Sequence, residues 1–244
     1  MEQEILLQAK NITVEYGGVR ALDNVSVSID EGQVVALMGP NGAGKSTVLK
    51  SIFGIAPVTK GKVLWHEHEV SPVSYEMVER GISFVPQGRQ IFKSLSVKEN
   101  LEMGGVVITD RKLLKERIEE VLELFPALRK KIDAPAGSLS GGQQQMVAIA
   151  RGLITDPKVL FLDEPTLGLA PKIVKEVFAK IKEINAKRGT AMVIVEHNLP
   201  SLFEIVDKAY LLARGKVVAE DKPEVLTNSG ILEDVFMGRY KEDN

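Results

Sequence analysis

The chain has 244 residues, 44% of them hydrophobic and 26% charged, enough apolar material for one core with an appended subdomain and too much for a disordered or fibrous polypeptide. Lys and Arg together number 31 against 33 Asp and Glu, a net charge of -2, so no overall basic field exists to drive binding to nucleic acid or anionic lipid. Cysteine is absent, which excludes disulfides, thiolate metal sites and a cysteine nucleophile and fits a reducing compartment.

In chain order, the opening residues 1–4, MEQE, lack the basic region of a signal peptide. No apolar run anywhere approaches the roughly 20 residues of a membrane span. A membrane role is therefore expected to run through a partner, with no direct insertion. Residues 5–7, 12–16, 25–29 and 34–38 are short β-prone pieces separated by Gly17-Gly18 and Glu31-Gly32, the pattern of an antiparallel sheet that feeds a buried strand. Gly39, Pro40, Asn41, Gly42, Ala43, Gly44, Lys45, Ser46 and Thr47 follow that strand and open a helix, the setting in which G-x-x-x-x-G-K-[ST] is a phosphate loop. Its glycines let backbone N–H groups turn inward around phosphate oxygens, and the helix beginning near Lys45 adds the partial positive charge of its N-terminus. Lys45 is placed to neutralise the β- and γ-phosphates, and the Ser46 hydroxyl to ligate Mg²⁺. In Trp65-His66-Glu67-His68 two histidines fall on one strand face at i,i+2 spacing. No third ligand is evident, so exposed hairpin polarity is the expectation there.

Gln87 follows the strand-like run 82–85, after which strand signals vanish from Ser94 to Ile154. Residues 111–125 carry helical periodicity in Leu113, Leu114, Ile118, Val121 and Leu122 until Pro126 stops it. This predicts a helical subdomain over 94–154, inserted between the nucleotide-binding core segments 1–93 and 155–244. The basic residues of 111–131 are interleaved with glutamates, which predicts a solvated helix face and no binding of nucleic acid. Ser140, Gly141, Gly142 and Gln143 then open a helix with the apolar stripe Met146, Ile149, Ala150 and Leu153. Ser140 and Gln143 have the spacing of a capping box. Two glycines in a first turn, however, cost up to about 1 kcal/mol each against alanine, and a cap does not require them. Bare backbone N–H groups at a helix N-terminus suit an anion, so this tip either completes the phosphate site above or serves another copy's nucleotide.

The apolar run 159–162 reads as a strand buried on both faces and delivers Asp163 and Glu164 at its end. Two adjacent carboxylates in such a place need a cation. Asp163 is expected to hold Mg²⁺, directly or through water, and Glu164 to polarise the attacking water. A helix over 172–187, with Ile173, Val174, Val177, Phe178, Ile181 and Ile184 on one stripe, covers the sheet. His197 follows the run 192–195, a last strand is expected at 210–212, and residues 216–244 are short, charged and weakly patterned. Alternating strands and helices make the class α/β with a mainly parallel core sheet, an N-terminal antiparallel β-subdomain and the helical insertion. The strand ends leading to Gly39, Gln87, Asp163 and His197 aim at one crevice beyond the carboxyl ends of the strands. There His197 would touch the γ-phosphate or orient the water beside Glu164, and Gln87 would sense Mg²⁺ or that water.

The phosphate loop, Gln87, the LSGGQ run 139–143, the Asp163-Glu164 pair and His197, in that order, resemble an ATP-binding-cassette ATPase over essentially the whole chain. The resemblance implies a P-loop fold and a head-to-tail dimer that sandwiches two ATP molecules. Each ATP is held by the Lys45 loop of one copy and by Ser140–Gln143 of the other, with Mg²⁺ at Ser46, Gln87 and Asp163 and with Tyr16 stacked on adenine. It implies ATP hydrolysis that drives an integral-membrane permease from the cytoplasmic face. The dimer is either two copies or this chain with a paralogous ATPase. The segments 85–92 and 164–171 resemble the smaller ATPase subunit of branched-chain amino acid importers; transport of another amino acid, urea or lipid is the alternative. One departure stands out: Leu167-Gly168-Leu169-Ala170 occupies the place where many members read S-A-L-D, so the aspartate that usually crosses the dimer interface is missing. A cassette ATPase acting on nucleic acid or ribosomes would tend to show tandem cassettes or long coiled-coil insertions, and neither is present.

Overall fold

A computed structural model of the chain describes residues 5–197 and 199–240. Strands β1 (Ile5–Tyr16) and β2 (Val19–Asp30) form a hairpin across Gly17 and Gly18, both with positive φ (55° and 84°). That backbone matches the twist of the flanking strands, and glycine adopts it without a Cβ penalty. The pieces expected at 5–7 and 12–16 are one strand, interrupted in register between Ala9 and Ile12, where Asn11 takes φ 53°. A bulge of this kind breaks the apolar alternation that would have revealed the continuity. The chain next enters β3 (Val34–Met38) and helix α1 (Lys45–Ile52), then returns to the first sheet through β4 (Val58–Trp65) and β5 (His68–Val70). This sheet has the order β2-β1-β4-β5 and is antiparallel throughout. His66 (φ 45°) and Glu67 (φ 63°) are the turn between β4 and β5, with Trp65 paired to His68. His66 has therefore left the strand, and the i,i+2 face expected for the two histidines is not formed.

After α2 (Ser74–Glu79) the second sheet is built from β6 (Ile82–Val85), β7 (Val159–Asp163), β8 (Ala191–Val195), β9 (Lys208–Ala213) and β10 (Lys216–Asp221), with β3 inside it. Its order is β10-β9-β3-β8-β7-β6, parallel except for β10. Between β6 and β7 lie helices α3 (Val97–Gly104), α4 (Arg111–Leu124), α5 (Pro126–Arg129) and α6 (Gly141–Leu153), and α7 (Pro171–Arg188) joins β7 to β8. Every residue of β3, β7 and β8 is buried, as in parallel strands covered on both faces. Alternate residues divide between two cores. Ala36, Met38, Leu160, Leu162, Met192 and Ile194 pack with Leu101, Val121, Ile149 and Phe178 of the helices. Val35, Leu37, Phe161, Val193 and Val195 face α1 residues Val48 and Leu49 and the inner side of the antiparallel sheet. The tail read as unpatterned forms β10 and, beyond α8 (Leu199–Phe203), the short helices α9 (Pro223–Asn228) and α10 (Ile231–Phe236). Each tail helix is too short to show a period, and they are held by burial of Leu226, Leu232 and Val235 in the first core.

Candidate functional site

The loop from β3 to α1 passes close beneath the end of β9. Gly39 has φ 141°, and a Cβ there would stand 2.1 Å from the Leu212 carbonyl oxygen, so only glycine fits. Gly42 (φ 79°) and Gly44 (φ 101°) complete the turn, with Gly44 as the N-cap of α1. The Lys45 side chain is buried and donates to the carbonyls of Gly39 (2.8 Å) and Pro40 (3.0 Å). Burial pulls its pKa below the usual lysine value, against the opposing pull of Glu164 and Asp163. Buried Ala43 is fixed by its carbonyl, which accepts from the Gly215 N–H at 3.1 Å.

At the end of β7, buried Asp163 accepts a hydrogen bond from Ser46 Oγ at 2.7 Å. Burial raises its pKa above the ordinary aspartate value, and the Ser46 bond and the lysines at 50 and 45 only partly oppose that. The next residue, Glu164, holds φ 48°, and its N–H donates to Val195 O at 2.8 Å. Both of its carboxylate oxygens are engaged: Oε2 accepts from Gln87 Nε2 at 2.6 Å and Oε1 lies 3.2 Å from His197 Nε2. Three strand ends, those of β6, β7 and β8, thus meet at one carboxylate. Gln87 was expected near the metal position as well; in the structure its amide is turned to Glu164.

Sequence reasoning passed over Glu196. Buried between β8 and His197, it accepts from Thr166 N (3.1 Å), Thr166 Oγ1 (2.5 Å) and the His197 N–H (2.7 Å), and so fixes both the turn after Glu164 and the backbone of His197. A carboxylate directly after a fully apolar strand was the signal available.

A cleft of about 530 Å³ opens over this cluster, lined by Asn41, Gly42, Gly44, Lys45, Ser46, Thr47 and Glu164, and on its far side by Val19, Arg20, Ala21, Arg214 and Gly215. The far side was not anticipated, because its residues come from the start of β2 and from the turn between β9 and β10, neither of which carries a motif. Tyr16 does not line the cleft; it pairs across the hairpin with Val19, which does, and is 45% exposed. Ser46 and Asp163 offer a hydroxyl and a carboxylate within 2.7 Å of each other. Among the described residues no group of three or more His, Asp or Glu could hold a metal alone. Such a pair suits Mg²⁺, which is commonly shared between one or two protein oxygens and substrate phosphates.

Ser140, Gly141, Gly142 and Gln143 lie outside this cleft. Ser140 is exposed and is the N-cap of α6 in a complete capping box: its Oγ accepts from Gln143 N (3.4 Å), and Gln143 Oε1 accepts from Ser140 N (3.2 Å). The capping geometry is therefore real, and the glycines beside it have a packing reason too. A Cβ on Gly142 would stand 2.5 Å from Ile173 Cγ2 of α7.

A family model described as ABC transporter matches residues 22–167. The chain is 38% identical over 234 residues to the high-affinity branched-chain amino acid transport ATP-binding protein BraG of Pseudomonas aeruginosa, covering 96% of this chain and 100% of that protein. It is 36% identical to the probable branched-chain amino acid transport ATP-binding protein LivF of Archaeoglobus fulgidus (96% and 99% covered). It is 32% identical to the lipopolysaccharide export system ATP-binding protein LptB of Escherichia coli (95% and 97%). Among solved structures, an ATP-binding cassette of an ABC transporter in its ADP conformation aligns with a TM-score of 0.87 at 30% identity, covering 96% of this chain and 99% of that one. A dimeric cassette in a post-hydrolysis state, bound to ADP and Pi, aligns at 0.77 and 29% identity (89% and 99%).

Proposed function

The chain belongs to the ABC transporter family, and from that premise we propose how its residues divide the hydrolysis of ATP that powers transport. The triphosphate lies along the loop from Gly39 to Thr47, and Lys45 exchanges its two backbone carbonyl partners for the β- and γ-phosphates. Glu164 takes the proton of the attacking water. Gln87 and His197, each on one of its oxygens, keep that carboxylate aimed, and His197 touches the γ-phosphate or orients the attacking water. Mg²⁺, held by Ser46 and Asp163, would neutralise charge on the transferring phosphoryl group. The backbone N–H groups of Ser140–Gln143 from a second ATPase, a copy of this chain or a paralogue, close the opposite side of the nucleotide, and Tyr16 stacks on its base.

The permease partner is an integral-membrane protein, and this chain works on its cytoplasmic side; no helix among the described residues is long and apolar enough to cross a membrane. The names of the BraG and LivF relatives support branched-chain amino acids as the solute. Uptake of leucine, isoleucine and valine by vesicles reconstituted with the co-purified permease is the expected outcome, and a permease that moves lipid instead would overturn that assignment.

The observation that carries the catalytic reading is Glu164, at the end of a buried strand with both oxygens bound by side chains from two other strand ends. In Glu164→Gln, ATP binding is expected to persist while turnover falls on the order of 10²–10⁴-fold, the usual weight of a general base. Near-normal hydrolysis by that variant would remove Glu164 from the role.

A further inference from the structure

The loop that carries Gln87 turns through two successive residues with positive φ, Gly88 (88°) and Arg89 (51°). Glycine takes this conformation freely, whereas an arginine keeps it only where its surroundings hold it. What holds Arg89 is packing. A Cβ on Gly141, in the first turn of α6, would stand 2.4 Å from Arg89 Nη1, and one on Gly168, in the turn after Glu164, would stand 3.5 Å from Nη2. Among the described residues the guanidinium makes no hydrogen bond or ion pair, so no partner charge sets its place. The rest of the loop is tied down: Arg151 Nη2 donates to Gln90 O, Gln90 Nε2 to Gln87 O (3.4 Å), and Ile91 N to Arg89 O (2.7 Å). One side chain thus rests on the glycine tip of α6 and on the 167–170 turn, while its own backbone lies two residues from the amide that holds Glu164.

We propose that Arg89 is a positioning residue: packed between Gly141 and Gly168, it sets the Gln87 amide on the Glu164 carboxylate and thereby ties hydrolysis to the placement of the α6 tip. The proposal rests on the reading of Glu164 as the base.

Steady-state ATP hydrolysis by the full-length chain tests it, with KM for ATP measured beside kcat and melting temperature confirming the fold. Arg89→Ala should lower kcat by about 10-fold to 10²-fold, the scale of a small misplacement in an active site, with KM within about twofold of wild type. Arg89→Met, which keeps the stem without the planar head, should do the same and serves if the alanine variant fails to fold. Neither change should add to the loss already caused by Gln87→Ala. Gly141→Ala, whose methyl displaces Nη1, should cost less in the Arg89→Ala background than in wild type. An unchanged kcat in both Arg89 variants, a loss that multiplies with Gln87→Ala, or a Gly141→Ala effect indifferent to Arg89 overturns the proposal. Hydrolysis that is insensitive to Glu164→Gln sinks the parent reading instead, so the two failures are told apart.

Discussion

Asp163 shows at the scale of one residue how this site trades stability for chemistry. Its folded pKa lies above the ordinary aspartate value because burial outweighs the Ser46 hydrogen bond. The native state therefore binds a proton more readily than the unfolded chain, and by linkage stability falls as pH rises through the window just above that ordinary value. At neutral pH the buried carboxyl is therefore a cost to the nucleotide-free fold. Asp163→Asn keeps an oxygen for Ser46 and removes that cost. It should raise the melting temperature of the nucleotide-free chain at pH 7, with the gain shrinking towards pH 4, while Mg²⁺-dependent ATP hydrolysis drops by about 10²-fold or more. Calorimetry beside a phosphate-release assay checks both halves, and a lower melting temperature at pH 7 would contradict the sign. Lys45 carries the mirror image, a cation whose pKa burial lowers.

Between β6 and α3 the important element is a loop, and its rigidity comes from Asn100. This residue is fully buried on α3. Its Nδ2 donates to the carbonyls of Phe92 (2.9 Å) and Ser96 (2.9 Å), and its Oδ1 accepts from Phe92 N (2.9 Å). Ser96 caps the same helix in a complete capping box with Glu99. Those bonds also hold the Glu99 carboxyl below the usual glutamate pKa. Asn100→Ala would leave the Phe92 N–H without its partner and take one of two donors from each of the Phe92 and Ser96 carbonyls, and we expect a loss of about 2 kcal/mol in urea unfolding. A loss below about 1 kcal/mol would show that water replaces the amide. Nothing in the periodicity of α3 marks this asparagine, because its partners are loop carbonyls brought back upon it by the turn.

In the whole molecule, the two cores cover both faces of the parallel sheet and leave its carboxyl edge as the working rim. The glycine tip of α6 stands outside the cleft of its own chain. Whether a second ATPase supplies its α6 tip, as proposed, is testable by association in solution. Glu164→Gln, which should trap the closed state by blocking turnover, is expected to sediment as a dimer with ATP and Mg²⁺ and as a monomer with ADP. A variant that stays monomeric at saturating ATP, yet dimerises when a paralogous ATPase is added, would assign the closed state to the mixed pair.

What the sequence determined by itself was local: the phosphate loop, the buried runs ending in Asp163 and Glu164, the α6 start and the α/β class each depend on neighbours a few residues apart, where spacing and side-chain type suffice. The clasp on Glu164 was decided only by tertiary structure. Gln87 and His197 lie 77 and 33 positions away along the chain, and the strand order β3-β8-β7-β6, which periodicity does not encode, sets them on opposite oxygens. The same holds for Glu196 beneath the turn, for Arg20 and Arg214 across the cleft, and for the tail helices, whose few apolar residues acquire meaning only against a core assembled elsewhere.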